Sequence, residues 1–166
     1  MIEKVISGGQ TGADIAGLRA AVRARIDTGG FIPKGYRTLD GPRPEYESMY
    51  NLVEIDSASY AERTRLNVMQ SDCTIRFAFD FGTPGERCTQ KWIRYYAKPN
   101  WDIGTNMIQD REPMLFTLNE TVKWVSENGF RIINIAGNAE KRYKGIEELV
   151  ETFCLPLFER VNYGGA

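Results

Sequence analysis

The chain has no histidine. That absence removes the Ser-His-Asp and Cys-His arrangements of nucleophilic catalysis and every imidazole metal site. Carboxylates, lysine, tyrosine and cysteine are left to move protons. Cysteine is scarce as well: Cys73, Cys88 and Cys154 are odd in number and far apart, which is neither a disulfide framework nor a zinc pattern, and no protein-ligated metal is expected. No apolar run approaches the roughly 18 residues of a membrane-spanning helix. The N-terminal "MIEKVISGG" lacks the apolar core and cleavage site of a signal peptide, so a cytoplasmic protein with no membrane partner is expected. An excess of one charge is missing too. Lys and Arg number 21 against 22 Asp and Glu, and a net charge of -1 gives no broad basic face, so nucleic acid is not expected as a partner.

What the chain does have is enough length for one domain with a real core, at 166 residues and 42% hydrophobic content. Strand and helix signals alternate. "KVIS" (4–7) reads as a short apolar strand and the Ala-rich residues 12–25 as a helix. "DTGG" (27–30) reads as a turn before the short strand "FIPKGY", residues 36–49 as a loop, and "YNLVEI" (50–55) as an edge strand. A helix capped by Ser57 or Ser59 runs to about Met69, followed by the β-rich "CTIRFAF" (73–79) and a helix over 86–97. Residues 99–112 read as an irregular insertion, "PMLFTL" (113–118) as a strand, and Asn119 to Glu127 as a helix. "FRIINIAG" (130–137) is the last strand, and residues 143–159 form a last helix that Pro156 is expected to bend or end. The sum is an α/β, three-layer Rossmann-like fold in a single domain, a mainly parallel sheet with helices on both faces.

In such sheets ligands sit beyond the carboxyl ends of the strands. Three glycine-bearing loops fall there: "SGGQTG", "DFGTPG" and "AGNAEK". In the first, Gly8, Gly9 and Gly12 let backbone approach a ligand, the amides at the helix start face an anion, and Gln10 and Thr11 add side-chain donors. It has neither the Lys-Ser/Thr ending of a Walker loop nor Gly-x-Gly-x-x-Gly spacing, so a plain tight turn is the competing reading. Asp14 suits the helix dipole equally well as a hydrogen bond to a ligand or a neighbouring loop. Lys34 either reaches a phosphate or is simply solvated. Arg63, Asn67 and Gln70 share one helix face, which faces either the site or solvent. Thr83, Gly85 and Thr89 offer a second anion site, beside which the carboxylate of Glu86 would repel a phosphate. Gly137 and Asn138 supply the third loop. No two carboxylates are plainly poised for acid–base work. Trp92, Tyr95 and Tyr96 on one helix suggest a homo-oligomer.

"ISGGQTGAD", "GGFIPKGYRTLDGP", Y-x-L-x-E at 50–54, "YAERTRLNV" with "SD", and "INIAGNAE" together resemble the molybdenum cofactor carrier family. They occur in that family's order over most of residues 4–140. The family is similar to the LOG and DprA proteins of the SLOG superfamily, binders of nucleotide-derived ligands and occasional hydrolases. The resemblance implies a pocket for a phosphorylated small molecule, molybdopterin or a nucleotide. Its lining would be the first glycine loop, the Lys34 segment, the Arg63–Asn67 helix and the loop after the central strand. Two features depart from the family pattern: Pro84-Gly85-Glu86 where Gly-Gly-Thr is usual, and the 99–112 segment with Trp101 near the mouth. Three readings follow: a non-catalytic carrier, or a sensor that sequesters a nucleotide signal; a LOG-like hydrolase cleaving an N-glycosidic or phosphoester bond; and an interaction protein whose glycines serve turns alone.

Overall fold

A computed structural model describes residues 1–164. The strands are β1 (Lys4–Ile6), β2 (Asp27–Ile32), β3 (Arg37–Thr38), β4 (Gly41–Pro42), β5 (Leu52–Glu54), β6 (Cys73–Ala78), β7 (Asn100–Gly104) and β8 (Ile132–Gly137). The helices are α1 (Ala13–Arg23), α2 (Tyr46–Tyr50), α3 (Tyr60–Gln70), α4 (Pro84–Tyr95), α5 (Arg111–Asn128) and α6 (Ile146–Tyr163). Six strands make one sheet in the order β5-β2-β1-β8-β6-β7, every pairing parallel, and β3 and β4 form a separate hairpin.

The strand order dictates where the helices lie. From β1 the chain moves one way, to β2 and β5; from β6 it moves the other way, to β7. Right-handed crossovers then place α1 on one face and α3 and α4 on the other, and the return from β7 to β8 puts α5 beside α1. The packing follows that rule: α1, α5 and α6 pack together, and α3 packs on α4. The α1/α5/α6 layer buries the main core, with Phe77, Ile135, Phe153, Leu157 and Phe158 fully enclosed. The α3/α4 layer is different. Of the residues it buries, only Val68 and Ile93 are apolar; Asn67, Glu86 and Thr89 are polar. Buried polar groups have to be matched, so this layer depends on specific polar partners as well as on packing.

Five local expectations are corrected. Asp27–Gly30 is not a turn but the first part of β2. Gly30 has φ 124°, and a Cβ there would sit 2.2 Å from the Ser7 carbonyl oxygen, so this glycine serves close approach of neighbouring backbone. Residues 36–49 contain the β3–β4 hairpin and most of α2. Residues 99–112 are an integral part of the sheet: β7 is its edge strand, followed by a 3-10 turn at Thr105–Met107. "PMLFTL" is helical. Pro113 falls in the first turn of α5, where its missing N–H costs nothing, and Thr117, Leu118, Thr121 and Val125 make the helix's buried stripe. Pro156 neither ends nor shortens α6, which runs on to Tyr163 because Phe153, Cys154, Leu157 and Phe158 are buried on both sides of it.

Asn67 is a structural clamp. Its Nδ2 donates to the Phe31 carbonyl at 3.1 Å and its Oδ1 accepts the Phe31 amide at 2.8 Å, fixing β2 to α3. Asn67→Ala is expected to destabilise the fold by about 1–3 kcal/mol, because a backbone pair loses both partners. Urea denaturation measures it, and a change under ~0.5 kcal/mol would show that water replaces the amide.

Candidate functional site

A cavity of about 760 Å³ opens at the carboxyl ends of the strands, between the loops after β1, β6 and β8. Gln10, Asp14, Arg63, Thr83, Gly85, Thr89, Gly137 and Asn138 line it. Gly8, Gly9, Thr11 and Gly12 are not among the lining residues. Lys34 is outside it: its Nζ pairs with Asp56 at 2.8 Å on the open surface. Trp101 packs against Trp124 at 5.2 Å between ring centres and does not reach the mouth.

The amides of residues 10–13 are already occupied by the protein's own acceptors. Gln10 N–H donates to the Asp14 carboxylate at 3.3 Å, Thr11 N–H to the Gln10 side-chain oxygen at 3.0 Å, and Gly12 N–H to Glu147 at 3.0 Å. Ala13 N–H donates to the Asn138 carbonyl at 3.1 Å. The anion at the start of α1 is thus Glu147, brought by α6 and held in turn by Arg19 at 2.8 Å. Gly12 makes this possible. Its φ is 94°, and a Cβ would meet the Asn138 carbonyl oxygen at 2.2 Å and Glu140 N at 2.7 Å. Gly12→Ala is therefore expected to cost about 2–4 kcal/mol of stability, read as a lower urea midpoint. An unchanged midpoint would show that the loops are not locked together.

The cavity wall contains a buried ion pair. Arg63 Nη1 lies 2.8 Å from Asp14 Oδ2, with side chains 12% and 6% exposed. Arg63 reaches it by crossing Gly8, where a Cβ would fall 1.6 Å from Nη1. Burial raises the Asp14 pKa above its ordinary value, outweighing the pull of Arg63 in the opposite direction. Arg63 Nε is buried and has no hydrogen-bond partner.

The other wall is the start of α4. Thr83 caps the helix, its Oγ accepting Glu86 N–H at 3.3 Å, which leaves the Thr83 hydroxyl proton free. Pro84 has no N–H, and the Gly85 amide has no acceptor among the described residues. Thr89 Oγ donates back to the Gly85 carbonyl at 3.1 Å. Glu86 is 2% exposed and lines the cavity, and neither of its carboxyl oxygens accepts a hydrogen bond. Arg76 Nη1 stands 3.5 Å from Oε2 but is committed to other acceptors, including Asp102. Burial pushes the Glu86 pKa up to about 8; Arg76 opposes the shift, while Asp14, Asp102 and Asp80 add to it. Burial thus favours the protonated carboxyl, a form that would repel a phosphate less than the carboxylate would.

Asn138 joins the three loops. Its backbone carbonyl takes Ala13 N–H, its Oδ1 accepts the amides of Phe79 and Asp80 at 2.9 and 3.2 Å, and its Nδ2 donates to the Asp80 carbonyl. The lining residues that sequence reading missed include Leu39, Tyr60, Lys141 and Arg142. The two cations follow "AGNAE" directly, and their place after a strand-end loop was the available signal. Among the described residues, no group of three or more Cys, Asp or Glu is placed to hold a metal ion. No helix among them is long and apolar enough to cross a membrane.

Residues 5–158 match the model of the circularly permutated YpsA SLOG family. No curated protein matches the chain. Among solved structures, a protein of Syntrophus aciditrophicus SB described as a candidate molybdenum carrier superposes with a TM-score of 0.84. It is 31% identical over 95% of this chain and 94% of its own. Sheet order, glycine loops and matched span agree: the chain belongs to the circularly permutated YpsA branch of the SLOG proteins.

Proposed function

We propose that the chain is a carrier-type binding protein that holds a phosphorylated heterocyclic molecule, a molybdopterin-like pterin or a nucleotide, in the three-loop cavity without turning it over. The observation that carries this reading is the cavity itself, about 760 Å³ at the carboxyl edge of a parallel sheet. The likeness to a candidate molybdenum carrier supports the class of cargo. The phosphate belongs at the start of α4, where the Gly85 amide and the Thr83 hydroxyl are free and the helix dipole favours an anion. Lys141 and Arg142 at the rim add charge, while Tyr60 and Leu39 give the ring apolar contact. Gly8, Gly9, Gln10, Thr11, Gly12, Asp14, Arg63, Gly137 and Asn138 shape the opposite wall.

Native mass spectrometry of the purified protein, with thermal-shift measurements against molybdopterin and a nucleotide panel, tests the assignment. A ligand at 100 times its Kd is expected to add about 2.7 kcal/mol of stability. Arg142→Ala is expected to weaken binding about tenfold, as loss of one charge-assisted contact. Absence of both a bound mass and a shift sinks the reading.

A hydrolase is the second reading, and one observation favours it: Glu86 is a buried carboxyl lining the cavity, and burial pushes its pKa up to about 8, the direction a general acid for leaving-group departure needs. Incubation with nucleoside monophosphates and dinucleotides, followed by chromatography, decides; an unchanged profile removes it.

A further inference from the structure

The helix that lines the cavity with one side turns a different face to solvent. Glu86, Thr89 and Ile93 are its buried side. Arg87, Lys91 and Arg94 stand on the outer face at i, i+4 and i+7, with Tyr95 beside them and 71% exposed. They border an open groove of about 810 Å³ whose floor is Arg76 and Phe81. Arg76 is bound to Asp102, Gln90 and the Glu86 carbonyl and sits over the Phe81 ring at 5.1 Å, so the floor is fixed.

Fold stability does not account for this row. Arg87 is in the first turn of α4, the end where the helix dipole disfavours a cation. Arg87 and Lys91, then Lys91 and Arg94, are like charges at helical-neighbour spacing, which is destabilising. None of the three is in an ion pair among the described residues; other exposed cations such as Arg25 and Lys123 are unpaired too, but here three stand in one row. Lys91 has only the Trp92 ring, 4.6 Å away. The one acid of α4, Glu86, is on the far side. In a chain of net charge -1, three unneutralised cations with an exposed tyrosine form a local feature. Arginine and tyrosine are also the residues on which protein interfaces concentrate their binding energy.

We infer that the outer face of α4 is a docking site for an acidic segment of a partner protein, its carboxylates meeting Arg87, Lys91 and Arg94 and an aromatic or apolar side chain lying against Tyr95 and Phe81. The row spans about 10.5 Å along the helix. Alternate side chains of an extended strand repeat every ~6.6 Å and neighbouring cations of the row about every 5–6 Å, so three acids at alternate positions of a short segment match it. The face is open and shallow, which suits a peptide, and three cations are few for tracking a nucleic-acid backbone. Because Glu86 and Thr89 line the ligand cavity from the same helix, a partner docked here would touch the wall of that cavity.

The test uses the whole chain and a fluorescein-labelled nine-residue peptide with glutamate at alternate positions and one tryptophan, followed by anisotropy at low and high salt. Binding is expected at 50 mM NaCl and is expected to weaken at least tenfold at 300 mM. Arg87→Gln/Lys91→Gln/Arg94→Gln is expected to lose at least tenfold in affinity while keeping its circular dichroism and melting no lower than the parent. Tyr95→Ala is expected to lose about fivefold. Arg25→Gln/Lys123→Gln, which removes the same kind of exposed charge elsewhere, should lose less than twofold. The inference is overturned by no binding at low salt, by affinity indifferent to the triple change, or by a ten-nucleotide oligothymidine binding more tightly than the peptide. It is equally overturned by sedimentation showing a dimer that Tyr95→Ala dissolves, since a second copy would then cover the face.

Discussion

Arg63→Met is expected to destabilise the protein by about 3–5 kcal/mol at pH 8, because it strands the Asp14 carboxylate in a fully buried position. The methionine keeps much of the apolar stem that lies across Gly8, so lost packing is a minor part of the effect. The pH dependence separates the two contributions. Asp14 has a folded-state pKa above its ordinary value even with Arg63 in place, so at pH values between the unfolded and folded pKa the folded protein binds a proton there that the unfolded chain releases. Stability contributed by that group therefore falls as pH rises above the unfolded value, and it falls further without the guanidinium. The deficit of Arg63→Met should thus shrink as pH is lowered toward 4, and Arg63→Met/Asp14→Asn should be more stable at pH 8 than Arg63→Met alone. Urea midpoints across pH for the four proteins of the double-mutant cycle give the coupling directly. A deficit constant with pH would mean that packing, not charge, is what Arg63 supplies.

Glu86→Gln should have the opposite sign. The unfolded carboxyl titrates near its ordinary 4.5 and the folded one at about 8, so between these values folding takes up a proton and stability declines as pH rises. Above pH 8 the full penalty is present, on the order of 3–5 kcal/mol for a shift of this size. Glutamine has the same shape and no charge to bury. The variant is expected to melt on the order of 10 °C higher than the parent at pH 8.5, and at nearly the same temperature at pH 4.5. Parallel melting curves at the two pH values would show that Glu86 is solvated in the folded protein. The same variant separates the carrier from the hydrolase: a carrier keeps its ligand, whereas an enzyme relying on this proton loses turnover.

The order of strands and helices could be read in the sequence where periodicity and turn chemistry spoke together. "SGGQTG", "DFGTPG" and "AGNAEK" each follow a short apolar run, and all three loops border one cavity. The misreadings have a common physical origin. Gly29 and Gly30 look like a turn by composition, but close approach of the Ser7 backbone is what requires Gly30. "PMLFTL" has strand-like residues, yet the layer it joins offers a helical stripe, and packing overrode propensity. In the site, the residue types were legible and their partners were not. Nothing near Gly12 announces that Glu147 occupies its amide, and nothing near Glu86 announces burial deep enough to raise its pKa. Both depend on contacts distant in sequence, which a local pattern does not encode.

That distance has a consequence for how the protein is made. Gly12 and Glu147 are 135 positions apart. On a ribosome adding about 5–20 residues per second, the opening loop waits on the order of ten seconds for the carboxylate that completes it. During that interval the Gly12 amide lacks this partner. A nascent chain that has not yet released α6 therefore carries an opening loop without the carboxylate that closes it.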